Sequence, residues 1–453
     1  MAINGLKKVL GLPAVTFIAI GTTIGGGIFV FTGIVLKIAG PALPAAYALA
    51  VIPVFLSMLP LIMLGSAIPV TGGNYIYPSR MVSPGLAFTG IWVYVLATFF
   101  GQIPLYSIAC ARYASVLFPG LNVEIFAIGL ITFFCVINIL GVRPAAQIQG
   151  VMVLVLIAAL VYFGISGIIT PHPERFADMF QMGAGGLFLG VALLTFTYLG
   201  SNCIIELGDE IRDPGRVIPR ALFIAFPIIT VVYLLVAFSA VNAVPWQSIA
   251  GVDEPLVGAA RAVMGPAGLL FFVLGGAVLA LTTTLNGLFI VGTKSLLVII
   301  DDGLLPKSLG AVNRRFGTAH ALFILIWIVS IIGVVSGLSL ETFASYAALG
   351  GIIIFIPVLI ASLGLPKRFP EAYAAPGFRL RGAWLYICPA VGIAVSLFFS
   401  IVILSQLKTA ANIILFLLFI LSGFLYYAAR KRHLRGRGVN LDDLVKNTDW
   451  TGK

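Results

Sequence analysis

Charge is scarce in this sequence. Of its 453 residues only 9% are charged, and just 16 are acidic. A soluble domain of that length carries roughly a quarter of its residues as charges to cover its surface. With 60% hydrophobic residues, the chain excludes an ordinary soluble fold. Cysteine and histidine are almost as rare, with four and three copies. Cys110, Cys135, Cys203 and Cys388 are scattered through apolar stretches, and His172, His320 and His433 form no cluster. That spacing excludes a disulfide framework and offers no metal site. A Gly-Lys-Ser/Thr phosphate loop is missing, which argues against direct drive by ATP. Catalytic groupings of acids, histidines or cysteines are missing from the apolar stretches too, which argues against a membrane enzyme.

What the chain does have is apolar runs of about 20 residues, the length that crosses a hydrocarbon core of about 30 Å. Backbone N–H and C=O groups find no water in lipid, so only helices or closed barrels cross it. Barrel strands alternate in polarity over about 10 residues, and these runs do not. The expected class is therefore all-α and polytopic. Twelve spans are expected, at 14–38, 41–67, 84–110, 122–141, 150–169, 186–207, 221–243, 268–298, 319–337, 342–363, 384–407 and 411–430. The first run is too long for a cleaved signal and lacks its small-residue site, so it is expected to remain as a span.

The net charge of +11 could suggest nucleic acid in a soluble protein. Here the basic residues concentrate in alternate loops, so no nucleic-acid partner is expected. With both termini placed in the cytoplasm, 21 Lys and Arg fall inside and five (Lys37, Arg112, Arg175, Arg261, Lys408) outside. That asymmetry predicts cytoplasmic termini in the cell (inner) membrane. The tail at 431–453 then reads as a basic cytoplasmic segment near anionic lipid.

Two spans differ from the rest. The first contains Gly21-Thr22-Thr23-Ile24-Gly25-Gly26-Gly27, and three successive glycines are poor helix material. The sixth contains Phe196-Thr197-Tyr198-Leu199-Gly200-Ser201-Asn202-Cys203. One such cluster usually means close helix packing. Two at matching places in two five-span units point to interrupted helices around a carrier's binding site. An odd number of spans per unit inverts the second relative to the first. The units expected are 1–170 and 186–363, followed by two extra spans at 384–430.

At four places the chain resembles the amino acid–polyamine–organocation transporter superfamily. They are Ile20 to Phe29, the stretch Pro69-Val70-Thr71-Gly72-Gly73-Asn74-Tyr75-Ile76-Tyr77, the segment from Glu210 through Pro214 to Arg220, and Lys294 followed by Asp301-Asp302-Gly303-Leu304-Leu305-Pro306. The resemblance implies the five-plus-five inverted-repeat fold, with helices 1 and 6 discontinuous, and alternating access. It implies a secondary carrier of amino acids or related small amines. A polyamine or organic-amine carrier and an uncoupled amino-acid exchanger stand as alternatives. No cofactor is expected beyond a coupling ion, and partner subunits are left open.

A zwitterion brought into low dielectric needs partners for both charges. Free amides at a half-helix N-terminus attract a carboxylate, and freed carbonyls attract an ammonium. The resemblance assigns the carboxylate to the amides of Gly25, Gly26 and Gly27, and the ammonium to the carbonyls of Ile24 and of Phe196 or Leu199. Thr23 would add a hydroxyl, and Gly200 and Asn202 belong to the same break. Phe196 and Tyr198 stand where the family places aromatics that cover the substrate. Gln102 in span 3 is either a wall residue or a helix–helix hydrogen bond.

Glu206 is an acid among apolar residues, and an intramembrane acid suggests function. It could relay protons, bind a cation, or favour cationic substrates, or it could simply meet water or Lys294. Lys294 itself reads as snorkelling or as pairing with a residue at the cytoplasmic gate. Proton-coupled relatives often place a lysine in span 5, and the corresponding position here is Leu156. Sodium-coupled relatives use span 1 carbonyls and two hydroxyls of span 8, which here would be Gly21, Ile24, Thr283 and Thr284. Sodium is thus placed ahead of a proton route through Glu206. A threonine in a membrane helix also often bonds its own backbone, which is the plainer alternative.

Overall fold

A computed structural model describes residues 6–250, 252, 254–374, 377–406, 410–441, 443 and 445. Lys408 and the end of the basic tail beyond 445 lie outside the described residues. Within them the secondary structure is helical, with isolated β-bridges at Leu10–Ile211, Thr71–Leu207 and Asn313–Thr318. Ten helical runs are long and apolar enough to cross a membrane, and Val123–Ile139 and His320–Val335 are shorter apolar helices. Each expected span overlaps one of these helices. The chain is an all-helical, multi-pass membrane protein.

Several boundaries differ from expectation. The third helical run continues to Leu117, and the fifth begins at Val142, right after Gly141 (φ 129°). Polar residues near its start do not end the helix, because Gln149 accepts a hydrogen bond from Asn286 Nδ2 at 2.9 Å. The seventh run begins at Pro214, where proline's fixed φ suits a first helical turn. The last helix, Ala410–Gly436, continues into the basic tail, where Arg and Lys are good helix formers.

Irregularities fall at specific places. The first span is two helices, Leu12–Thr23 and Gly26–Ala39. The sixth is α-helical over Gly183–Thr195, and then follows 3-10 turns at Phe196–Tyr198 and Ser201–Glu206. The third and eighth carry π-helical turns at Leu96–Gln102 and Phe272–Val278. The second and seventh carry internal prolines, Pro53 and Pro60 in one and Pro219 and Pro227 in the other.

One end of the bundle is knitted shut. Val9 and Leu10 donate backbone N–H groups to the Glu210 carbonyl at 3.0 and 2.9 Å, and Arg212 N–H returns one to Leu10 at 2.8 Å. Gly72 N–H reaches the Glu206 carbonyl at 3.1 Å. The segment after the sixth span is thus tied to those before the first and after the second.

Candidate substrate site

The two interrupted spans meet at their breaks. Gly200 has φ 145°, and a Cβ there would lie 2.4 Å from the Thr22 carbonyl oxygen. Only glycine allows both that conformation and that approach. Tyr233 of the seventh span bridges the pair: its hydroxyl lies 2.9 Å from the carbonyls of both Thr23 and Thr197. It can donate its single proton to either. Cys203 Sγ approaches Thr22 Oγ1 at 3.5 Å.

The expected backbone groups divide into engaged and available ones. The Gly25 amide donates to the Thr23 carbonyl at 2.8 Å and is engaged within the break in this conformation. The second half-helix starts at Gly26, which leaves the amides of Gly26, Gly27 and Ile28 without intrahelical acceptors. Ile24 is buried between the half-helices. The Phe196 carbonyl accepts from Leu199 N–H at 3.1 Å.

Side chains sort similarly. Thr23 Oγ1 donates to its own helix, at the Ala19 carbonyl, 2.8 Å away. Phe196 is half-buried, with its ring 5.6 Å from that of Phe31. Tyr198 is fully buried: its hydroxyl donates to the Tyr47 carbonyl at 3.1 Å, and its ring packs 5.0 Å from Tyr233. It belongs to a tyrosine cluster between spans in this conformation. Asn202 Oδ1 accepts from Gly200 N–H at 3.1 Å and so shapes the break locally. Gln102 is half-buried at the end of the π-helical turn. One helical turn on, the Tyr106 ring lies 3.2 Å from where a Gly26 Cβ would stand. The spacing of Gln102 and Tyr106 places them on one face, a signal that a reading of the span alone did not use.

The residues proposed for an ion come together in part. Thr284 Oγ1 lies 3.2 Å from the Gly21 carbonyl, and a Cβ at Gly25 would stand 2.2 Å from it. Both hydroxyls also bond their own helix at the Ala280 carbonyl, Thr284 Oγ1 at 3.2 Å and Thr283 Oγ1 at 3.0 Å, and only Thr284 reaches Gly21 as well. Leu156 is fully buried. Nearby, Asn286 links Asn138 to Gln149 through two 2.9 Å hydrogen bonds, a network that periodicity does not reveal.

Glu206 lies beside Lys294 in the chain fold but is not its ion-pair partner. Its carboxylate accepts from Asn74 N–H and from Ser295 Oγ, both at 2.7 Å. Lys294 pairs instead with Glu210 at 2.7 Å, both side chains buried. Burial pushes the Glu210 carboxyl above the ordinary carboxylate range, and Lys294 opposes that shift. A second buried pair joins Arg80 to both carboxylate oxygens of Asp302 at 2.6 Å, and Tyr75 adds its hydroxyl at 2.7 Å. Burial opposes the charge on Arg80, but Asp302 outweighs it, so the guanidinium is held above its usual pKa.

These features agree with comparisons to known proteins. The family model described as amino acid permease matches residues 10–425. A branched-chain amino acid permease of Bacillus subtilis is 25% identical over 401 residues, covering 83% of this chain and 85% of the relative. A methylthioribose transporter of the same organism is 26% identical over 419 residues, 87% of this chain and 88% of the relative. A vacuolar cationic amino acid transporter of Arabidopsis thaliana is 26% identical over 336 residues, 68% of this chain and 52% of the relative. With two helix breaks in contact and a family match over almost its whole length, the chain belongs to the amino acid permease family of the amino acid–polyamine–organocation superfamily.

Proposed function

We propose that the chain is a secondary carrier of a free amino acid, working by alternating access, with the substrate held at the breaks of spans 1 and 6. The observation that carries this reading is the contact of those breaks, with Tyr233 bridging Thr23 and Thr197. The amides of Gly26 and Gly27 suit a carboxylate, and carbonyls at the facing break suit an ammonium. The walls at Tyr106, Leu281 and Phe196 are apolar or aromatic, and Glu206 is already satisfied by Asn74 and Ser295. That favours a neutral, apolar side chain over a polyamine, in line with the branched-chain relative.

The inverted repeat gains support from paired irregularities five spans apart. Breaks recur in spans 1 and 6, internal prolines in 2 and 7, and π-helical turns in 3 and 8. The basic-residue count supports a cell-membrane orientation with both termini cytoplasmic. The knitted end is then the cytoplasmic gate in its closed state. The Gly21 carbonyl beside Thr284 favours sodium as the coupling ion.

The test is uptake of labelled amino acids into proteoliposomes, with and without a sodium gradient, at two pH values. Saturable, sodium-dependent uptake of a neutral amino acid, with counterflow, is expected. Flux linear in concentration without counterflow would make the protein a channel and end the carrier reading. Uptake indifferent to sodium would end only the sodium assignment.

A further inference from the structure

A groove of about 460 Å³ lies on the flank of the molecule, away from the breaks, between the start of the first span and the fifth. On the fifth helix Arg143, Gln147, Gly150, Val151 and Leu154 line it in register along one face. Its other wall includes Leu10, Ala14 and Phe17. Gly150 forms the floor, where a Cβ would stand 3.2 Å from the Phe17 ring. The groove opens sideways: Val151 is 65% exposed and Leu154 55%. On a multi-pass membrane protein such a surface faces lipid, not water.

Its polarity is graded. Arg143 and Gln147 are exposed at one end, and the other end is entirely apolar. From Arg143 to Leu154 the helix rises about 16 Å at 1.5 Å per residue. Half of a hydrocarbon core of about 30 Å is nearly the same length. More cations gather at the polar end. Lys7 Nζ donates to the Arg315 carbonyl at 2.8 Å, and the neighbouring Phe316 carbonyl abuts Gly141, two residues before Arg143. Among the described residues, Lys7, Arg143 and Arg315 have no carboxylate partner. At the Val9–Leu10 edge, Glu210 is paired with Lys294, and Asp209 accepts from Thr71 N–H at 3.2 Å.

We propose that this groove binds one anionic phospholipid, with its phosphate at Arg143 near Lys7 and Arg315 and one acyl chain along Gly150, Val151 and Leu154 against Phe17. The cationic end attracts a negative headgroup, and the apolar length takes the tail. The lipid would brace the half-helix Leu12–Thr23, the element that carries Gly21 and ends at the substrate break. The inference requires only that the chain spans a membrane, and it does not depend on the substrate or the coupling ion.

The test uses the purified full-length protein in detergent, titrated with phosphatidylglycerol, with phosphatidylcholine, or with glycerol phosphate alone. Native mass spectrometry counts retained lipid, and a thermal shift reports its effect. Phosphatidylglycerol is expected to be retained and to raise the melting temperature, with little effect from the other two. Arg143→Gln should weaken retention about fivefold, the size expected for one basic residue near a lipid phosphate. Lys7→Gln, on an exposed segment, should weaken it in the same direction and remains informative if Arg143→Gln fails to fold. Arg381→Gln, a charge outside the groove, should change nothing. Equal retention of both phospholipids, or equal loss from Arg143→Gln and Arg381→Gln, would overturn the proposal. A response to glycerol phosphate alone would overturn it as well, because the site would then be one for a free anion.

Discussion

The helix breaks at the middle of spans 1 and 6 and the knitted end of the molecule both rest on backbone contacts, but only the end adds full charges. At the middle, spans 1 and 6 touch through bare backbone, with glycines, carbonyls and one tyrosine hydroxyl. At the end, backbone hydrogen bonds between the segments around Leu10 and Glu210 are joined by two buried ion pairs, Arg80–Asp302 and Lys294–Glu210, which tie the end of the eighth span to the segments after the second and sixth. Backbone dipoles are partial charges that remain tolerable when a substrate leaves. A full charge stripped of its partner in the interior is far more costly. The comparison teaches that, on the proposed reading, the breaks can exchange partners with a substrate at little cost, whereas the end region must stay paired or open to water.

The largest expected effect is at the end. Asp302→Asn leaves Arg80 buried without its counter-charge, and it should cost about 3–5 kcal/mol of stability. Thermal unfolding in detergent measures this, and replacing both partners by apolar residues should recover much of the loss. A stable single variant would show that the pair is not shielded from water. At the middle, Gly200→Ala meets both the Thr22 carbonyl and a left-handed backbone. It should cost about 1–3 kcal/mol in strain and depress uptake more than tenfold. Normal uptake would mean that the breaks do not touch as described.

Tyr233→Phe removes the hydroxyl that holds both breaks. A loss of about 0.5–1.5 kcal/mol is expected, read as a rise in KM for uptake with folding retained. Thr284→Ala should weaken the dependence of uptake on sodium, while Thr283→Ala should leave it nearly intact, since of the two only Thr284 reaches the Gly21 carbonyl. The reverse order would exclude the Gly21–Thr284 site. The smallest functional change is expected from Glu206→Gln. Its carboxylate is held by Asn74 and Ser295, so stability should fall somewhat while substrate charge preference stays as it was. A switch in that preference would restore Glu206 to the substrate site.

Much of the fold was legible in the sequence, because lipid imposes a length and a polarity on every span. The interruptions at Ile24–Gly25 and after Thr195 were legible too, since glycine and small polar residues weaken a helix wherever they cluster. The candidate site was legible in its backbone and less so in its side chains. Tyr198 stood at the right place in the chain but turns into the cluster with Tyr47 and Tyr233. Tyr233, Tyr106 and Gln149 carried no local mark, because each acts across a distance in sequence. Lys294 had two acids in reach, Glu206 and Glu210, and chain position could not choose between them.

By itself the sequence determined a helical membrane chain with two weakened spans, because hydrophobic length and helix propensity are local properties written residue by residue. Only the tertiary structure decided that Gly200 presses on the Thr22 carbonyl, that Lys294 takes Glu210 while Glu206 goes to Asn74 and Ser295, and that a graded groove lies beside Arg143. Those outcomes depend on which helix faces meet. Rotating a helix by a single residue turns each face about 100° and redistributes every such partner without altering any local preference.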